Sequence, residues 1–248
     1  MNRRTFLKTV PLSMLAATGL SIGEAAETTA APAAPAAAGG AAVTGLEPII
    51  LLKPETDGGK SVLAALKERR TNRNIKPDKL PPQMLSNLLW AAWGVNREGG
   101  ARPGRTAASA SNSQEIDLYV ALAEGIYLYE AAGHKLVPVV AGDHRGKAGG
   151  RGRGSSPASA APVNLFFVAN IGKYSQGRPQ EPGLKDPEIQ KSYSNIAAGL
   201  IAGNVYLFAA SVGLAAWFHN CNKPALAETL KLPDDQKVLY AQTVGYPA

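Results

Sequence analysis

Within residues 61–70, Val62, Leu63 and Leu66 fall on one helical face with Lys67 and Arg70 elsewhere, which predicts a first helix. A second begins at Pro81 and Pro82, because proline suits the first helical turn. It carries Met84, Leu85, Leu88, Leu89 and Ala92 at helical spacing. Gly94 and the glycine-rich stretch 99–104 end it in a long loop. The period then shortens. Residues 116–122, 126–129 and 136–140 are three apolar runs joined by glycine-containing turns, the pattern of an antiparallel meander. Residues 142–161, rich in Gly, Arg, Ser and Ala, predict a mobile loop. Residues 163–169 predict a strand buried on both faces, since Leu165, Phe166, Phe167 and Val168 leave no polar side.

Residues 193–212 are apolar on nearly every side and predict a helix enclosed by protein all round, in the core or at a subunit interface. Ala198, Gly199, Ala202 and Gly203 would let another helix approach closely, and Asn195 and Asn204 argue against a membrane span. A strand at 214–218, a helix at 224–230 and a last strand at 238–244 complete the pattern. Helices and strands mix without a βαβ rhythm, so the expected class is α+β.

The N-terminal stretch has another character. Arg3 and Arg4 are followed by Phe6, Leu7 and Lys8, then by an apolar run at 10–22 that is too short to span a hydrocarbon core of about 30 Å. Residues 1–26 therefore read as a signal peptide, and the paired arginines resemble the twin-arginine export address, which predicts a periplasmic protein. Residues 27–45, mostly Ala, Pro, Thr and Gly, read as a linker, leaving 46–248 as the folded domain. Of the formal charge of +7, Arg3, Arg4 and Lys8 against Glu24 account for two, so the remainder carries about +5. That excess favours anionic partners. One cysteine, Cys221, excludes an intramolecular disulfide framework, and three scattered histidines suggest no metal cluster.

No Gly-x-Ser-x-Gly elbow, His-Glu-x-x-His pair, P-loop lysine or dinucleotide-binding glycine fingerprint occurs. What remains suits a bound cofactor that does its own chemistry. Arg69, Arg70, Thr71 and Arg73 set three guanidinium groups and a hydroxyl at the end of the first helix, a good phosphate site. Basic residues that merely complement a helix C-terminus have the same pattern. Ser109, Asn112 and Gln114 lie in a loop just before the meander, where amides offer donors and acceptors together.

Taken in order, these segments resemble the nitroreductase family. The run Arg69-Arg70-Thr71-Asn72-Arg73 is similar to its opening basic pattern. Residues 88–97, Leu-Leu-Trp-Ala-Ala-Trp-Gly-Val-Asn-Arg, look like the next helix and turn of the SagB-type branch related to thiazoline-forming dehydrogenases. Residues 105–114 are similar to the Pro-Ser-x-x-Asn-x-Gln flavin loop, residues 199–213 to the long central helix, and 244–247 to the closing strand. The resemblance covers residues 58–248. It implies an α+β fold with a mostly antiparallel central sheet flanked by helices, assembled as a homodimer with FMN at two subunit-interface sites. By motif position Arg69, Arg70, Thr71 and Arg73 would hold the phosphate and ribityl chain. Ser109, Asn112 and Gln114 would meet the isoalloxazine ring, and His219 and Asn220 fall where backbone N–H groups face it. The flavin would shuttle electrons between a donor and a small organic acceptor such as a nitroaromatic or quinone, with no obligatory catalytic side chain.

Three departures bear on this. Ala108 replaces the loop proline, which should loosen the turn; Gly203 stands where relatives often have Gln; and the chain ends at Ala248, where many relatives supply one more basic residue. Arg151 or Arg153 is the candidate replacement. An exported flavin carrier or sensor without turnover is the alternative reading, and a polyanion binder using Arg97, Arg102, Arg105, Arg151 and Arg153 a weaker one, since it lacks aromatic residues for base stacking and no nucleic acid is expected. Export would separate the flavin from cytoplasmic NADH and NADPH, which favours a quinol or a partner protein as electron donor.

Overall fold

Two strands with no polar face set the middle of the sheet. In the computed structural model, which describes residues 45–99, 102–149, 157–176 and 182–248, the elements in chain order are β1 (Ile49–Ile50), α1 (Val62–Glu68), α2 (Pro82–Trp93), β2 (Val95–Arg97), β3 (Gly104–Arg105), β4 (Ile116–Ala121), β5 (Gly125–Glu130), β6 (Lys135–Ala141), α3 (Pro157–Ala160), β7 (Val163–Asn170), α4 (Pro187–Val212), β8 (Ala215–His219), α5 (Lys223–Leu230) and β9 (Gln236–Gly245). Seven strands form one sheet in the order β1-β6-β5-β4-β7-β9-β8, and every neighbouring pair is antiparallel. The α+β expectation holds. The expected leader, the linker up to residue 44, and Arg151 and Arg153 lie outside the described residues.

β4 and β7 pair with Leu118 opposite Phe167 and Tyr119 opposite Phe166. Because side chains alternate across a strand, Leu118 and Phe167 enter one core and Tyr119 and Phe166 the other. The first core is closed by Leu88, Leu89 and Trp93 of α2 and by Ala198, Ile201 and Val205 of α4. The second is closed by Leu226 and Leu230 of α5. Helices thus cover both faces of an antiparallel sheet.

α4 begins six residues before the apolar pattern does. Asp186 caps it, its carboxylate accepting from the Glu188 N–H at 2.9 Å, and Pro187 fills the first turn. The intervening residues are polar and hide the start. Gly213, at φ 80°, ends the helix in the left-handed conformation that glycine adopts without cost. The expected enclosure on all sides is incomplete. Ala198 and Ala202 are buried inside the chain, and the Ala202 carbonyl accepts from Gln242 Nε2 at 3.2 Å. Ile196 and Leu200 are 58% and 45% exposed, and a side chain added at Gly199 or Gly203 would meet nothing within 4 Å. One face of α4 is core and the other is open.

Two loop expectations change. Residues 94–105 contain the β2–β3 hairpin rather than a plain loop. Its pairing sets the Arg97 guanidinium over Gly104, where any Cβ would stand 2.6 Å from Nη2. In the stretch expected to be mobile, Ala148, Ala158 and Ala161 are fully buried. Arg145 fixes it, donating to both oxygens of Asp143 and to the Ala161 carbonyl.

Ile201 is fully buried between α4 and the sheet. Ile201→Ala should cost about 2–5 kcal/mol of unfolding free energy, read from urea denaturation; a loss under about 1 kcal/mol would contradict this packing.

Candidate functional site

The chain leaves α1 at Arg69, the C-cap residue, and runs beside the outer strand β8, where the Asn72 N–H donates to the Ala216 carbonyl at 3.0 Å. Tyr206 of α4 fixes this segment. Its hydroxyl accepts from the Phe218 N–H at 2.8 Å and meets Thr71 Oγ1 at 3.0 Å. The Arg69 guanidinium lies 5.3 Å from the Tyr206 ring centre, and that of Arg73 lies 5.3 Å from the Trp217 ring centre. Cation–π contacts hold the two guanidiniums and leave their N–H groups available. Trp217 also stacks on His219, with ring centres 4.1 Å apart. The structure therefore gathers Arg69, Thr71, Arg73 and His219 along one sheet edge. Arg70 is exposed at the start of the same segment.

His219 Nε2 lies 2.9 Å from Thr243 Oγ1, and Nδ1 lies 2.8 Å from the Asn220 carbonyl. Burial pulls the imidazole below its ordinary pKa; the Asn220 carbonyl opposes this, and the positive charge of Arg73 adds to it. Asn220 is exposed at the end of β8. Cys221 is buried and its thiol is pushed up to about 11, so it is a packing residue rather than a nucleophile.

The second cluster surrounds an open cavity of about 490 Å³ whose lining includes Arg97, Arg102, Arg105, Ser109 and Asn112. Ser111, Asn112 and Gln114 all have positive φ, between 49° and 54°, so the loop is wound tightly. Gln114 holds it from within. Its Oε1 accepts from Arg105 Nε at 2.8 Å, and its Nε2 donates to the Pro103 carbonyl at 2.7 Å and to Asn112 Oδ1 at 3.0 Å. Ser109 Oγ accepts from the Gln114 N–H at 3.0 Å, and Arg102 donates to the Ser113 carbonyl at 2.7 Å. The loosening expected from Ala108 is thus offset by a hydrogen-bonded net. Gln114, 8% exposed, directs its amide into the loop. Arg105 anchors the net, donating to the Trp93 carbonyl and lying 5.3 Å from the Trp93 ring centre. Burial lowers its pKa from the usual arginine value, against the pull of Tyr129, Glu130 and Asp117.

The two clusters reach opposite flanks of α4. Tyr206 serves the first, whereas Asn204 Nδ2 donates to the Thr106 carbonyl at 3.2 Å beside the second. Two residues of helix turn through about 200°, so one chain points the clusters apart. The open strip of Ile196, Gly199, Leu200 and Gly203 lies on the same helix, and Val62, Leu63 and Leu66 on α1, which packs against α4, are 51–79% exposed.

Sequence reasoning missed Tyr206, Trp217 and Thr243, and named Arg105 as a polyanion contact rather than as the anchor of the loop. The signal for Tyr206 was present: a phenol in a helix otherwise apolar all round needs a hydrogen-bond partner. Trp217 and Thr243 carried none, since both read as ordinary strand residues.

The fold is similar to that of known proteins. The nitroreductase family model matches residues 66–246. A crystal structure from Ralstonia eutropha JMP134, described as a nitroreductase, is 35% identical, with 83% of this chain and 91% of that chain covered and a TM-score of 0.71. A protein of Methanocaldococcus jannaschii, also described as a nitroreductase, is 27% identical over 153 residues, 59% of this chain and 72% of that protein. An NADPH:FMN oxidoreductase from Vibrio harveyi, solved with NAD+, shares the fold at 16% identity and a TM-score of 0.52, with 75% of this chain and 68% of that chain covered. With residues 66–246 matched by the family model and a 35%-identical structure covered over 91% of its length, the chain belongs to the nitroreductase family.

Proposed function

We propose that the protein is an FMN-dependent oxidoreductase working as a homodimer, with each site assembled from two copies. The observation that carries this is the placement of its two polar clusters on opposite flanks of α4, whose remaining face is apolar and open. A single chain offers only half a flavin site. Two copies joined through that face can set the loop of one against the arginines of the other.

The donor set suits the cofactor. Arg69 and Arg73 present guanidiniums already oriented by Tyr206 and Trp217, and a planar fork of N–H groups matches phosphate oxygens. Thr71 adds a hydroxyl, and Arg70 a further charge. Ser109 and Asn112 border the cavity where a ring edge would lie, while Gln114 holds their loop in shape rather than reaching outward. Asn220 is the exposed residue at the end of β8. FMN supplies the electron-transfer chemistry when bound; the chain binds, orients and limits access.

The acceptor in this reading is a small organic molecule, a nitroaromatic, a quinone or a similar ring. The paired arginines near the N-terminus favour twin-arginine export, which carries folded proteins and would allow FMN insertion beforehand. A periplasmic flavin then takes electrons from a quinol or a docking protein. The Vibrio harveyi protein shares the fold but, by its name, uses NADPH.

The purified protein should be yellow and release FMN on denaturation. Arg73→Ala should weaken FMN roughly 10- to 100-fold, the loss of one or two charge-assisted hydrogen bonds, and leave riboflavin nearly unchanged. Equal losses for both ligands would remove the arginine from the phosphate site.

Leu200→Glu, on the open face of α4, should give a folded monomer in sedimentation that no longer retains flavin. A flavin-loaded dimer carrying this substitution would show that the interface lies elsewhere.

Under anaerobic mixing, a soluble quinol should bleach the flavin band faster than equal NADH or NADPH. Fast bleaching by micromolar NADPH would overturn the donor assignment.

A further inference from the structure

The hydrogen-bond chain around His219 dictates where its protons sit. Asn164 Nδ2 lies 2.8 Å from the Ala158 carbonyl. A carbonyl only accepts, so the amide nitrogen belongs on that side and Oδ1 faces Thr243 Oγ1 at 2.6 Å. Thr243 has one proton and gives it to Oδ1. It therefore meets His219 Nε2, 2.9 Å away, as an acceptor. The other ring nitrogen, Nδ1, faces the Asn220 carbonyl at 2.8 Å, again an acceptor. Only an imidazolium, with a proton on each nitrogen, satisfies both contacts. A neutral ring turns one lone pair against an oxygen lone pair in a half-buried place.

Opposing this are burial and Arg73, which both disfavour the cation. Among the described residues Arg73 is the charged group that acts on the ring. The groups packed around it, Trp217 from β8, Thr243 from β9, Asn164 from β7 and Asn220 from the following turn, carry no charge. The hydrogen bonds ask for a proton that the local field resists, and an anion near Arg73 would cancel that resistance.

We propose that His219 takes up a proton from solvent when an anionic ligand settles beside Arg73, so that the guanidinium N–H groups grip the anion and the imidazolium adds its positive charge. The ligand class rests on the flavin reading: the anion is the FMN phosphate or negative charge on the ring. No electron moves in this step, and the only new covalent bond is the N–H on the imidazole.

Calorimetric titration of the full chain with FMN, in pairs of buffers with unlike ionisation heats near pH 7.5, measures the protons exchanged. The FMN phosphate, with a second pKa of about 6, is already dianionic there. The wild type should take up as much as one proton per FMN, with affinity falling by as much as about tenfold per pH unit as pH rises. His219→Gln should bind FMN at the same stoichiometry with uptake near zero and little pH dependence. Riboflavin separates the sources: uptake with FMN alone assigns the phosphate, and uptake with both assigns the ring. FMN binding with no uptake in the wild type, or equal uptake in the variant, overturns the proposal while leaving the flavin reading intact.

Histidine-ring nitrogen NMR on the wild type gives the same answer without a variant. The His219 signals should move from the neutral to the doubly protonated pattern when FMN is added. If FMN does not bind at all, the flavin reading fails, and inorganic phosphate serves as the probe instead. A ring that stays neutral at saturating phosphate would then overturn the proposal.

Discussion

The hydroxyl of Tyr206 ties three separate pieces of chain to one point. It accepts from the backbone of β8 at Phe218 and meets Thr71 in the segment after α1, while its ring lies against the Arg69 guanidinium. The polar cluster therefore depends on α4, which supplies the tyrosine, and α4 depends on the double-sided core that holds Ile201 and Val205 against the sheet. Arg69 lies against one aromatic ring and Arg73 against another, so their side chains are partly ordered before a ligand arrives. Pre-ordering of this kind lowers the entropy lost on binding.

The same helix is the basis for proposing that one chain is an incomplete unit. Its inward face is filled by Ala197, Ala198, Ile201, Ala202, Val205 and Ala209, and the outward face carries Ile196 and Leu200 beside two glycines. Exposed apolar surface of this kind marks an interaction site more often than chance exposure does. Asn204 and Tyr206, on opposite flanks, reach the two polar clusters, so the geometry that covers the sheet also separates the clusters. In the proposed dimer, assembly and ligand binding become one problem.

Much of the fold was legible from the chain. The meander, the buried β7 and the long helix follow from apolar periodicity, because burial on one or both faces imposes it directly. The start of α4 at Pro187 was hidden because its first turn faces solvent and shows no apolar pattern, although Asp186 and Pro187 carry the capping signal. β1, with only two residues, and the β2–β3 hairpin were invisible: two-residue pairings have no period, and Gly104 reads as a loop residue until Arg97 is seen lying over it. At the site, the residue types of Arg69, Thr71 and Arg73 pointed to a phosphate, and the structure brings them to one edge. Gln114 shows the limit of motif reading. Its amide is engaged by Arg105, Pro103 and Asn112, contacts that arise from a hairpin the sequence did not reveal. The roles of Tyr206, Trp217 and Thr243 are long-range consequences of strand order, which no local pattern encodes.

The central claim is that each flavin site takes its arginines from one copy and its loop from the other. Subunit complementation tests it directly. One chain would carry Arg69→Ala and Arg73→Ala, and the other Ser109→Ala and Asn112→Ala; each expressed alone should retain little FMN. Co-expressed and purified as the mixed dimer, they should recover one FMN per dimer, because one of its two sites combines the intact arginines of one chain with the intact loop of the other. A mixed dimer with no recovered FMN would contradict the account, since it would mean that each chain builds its site alone.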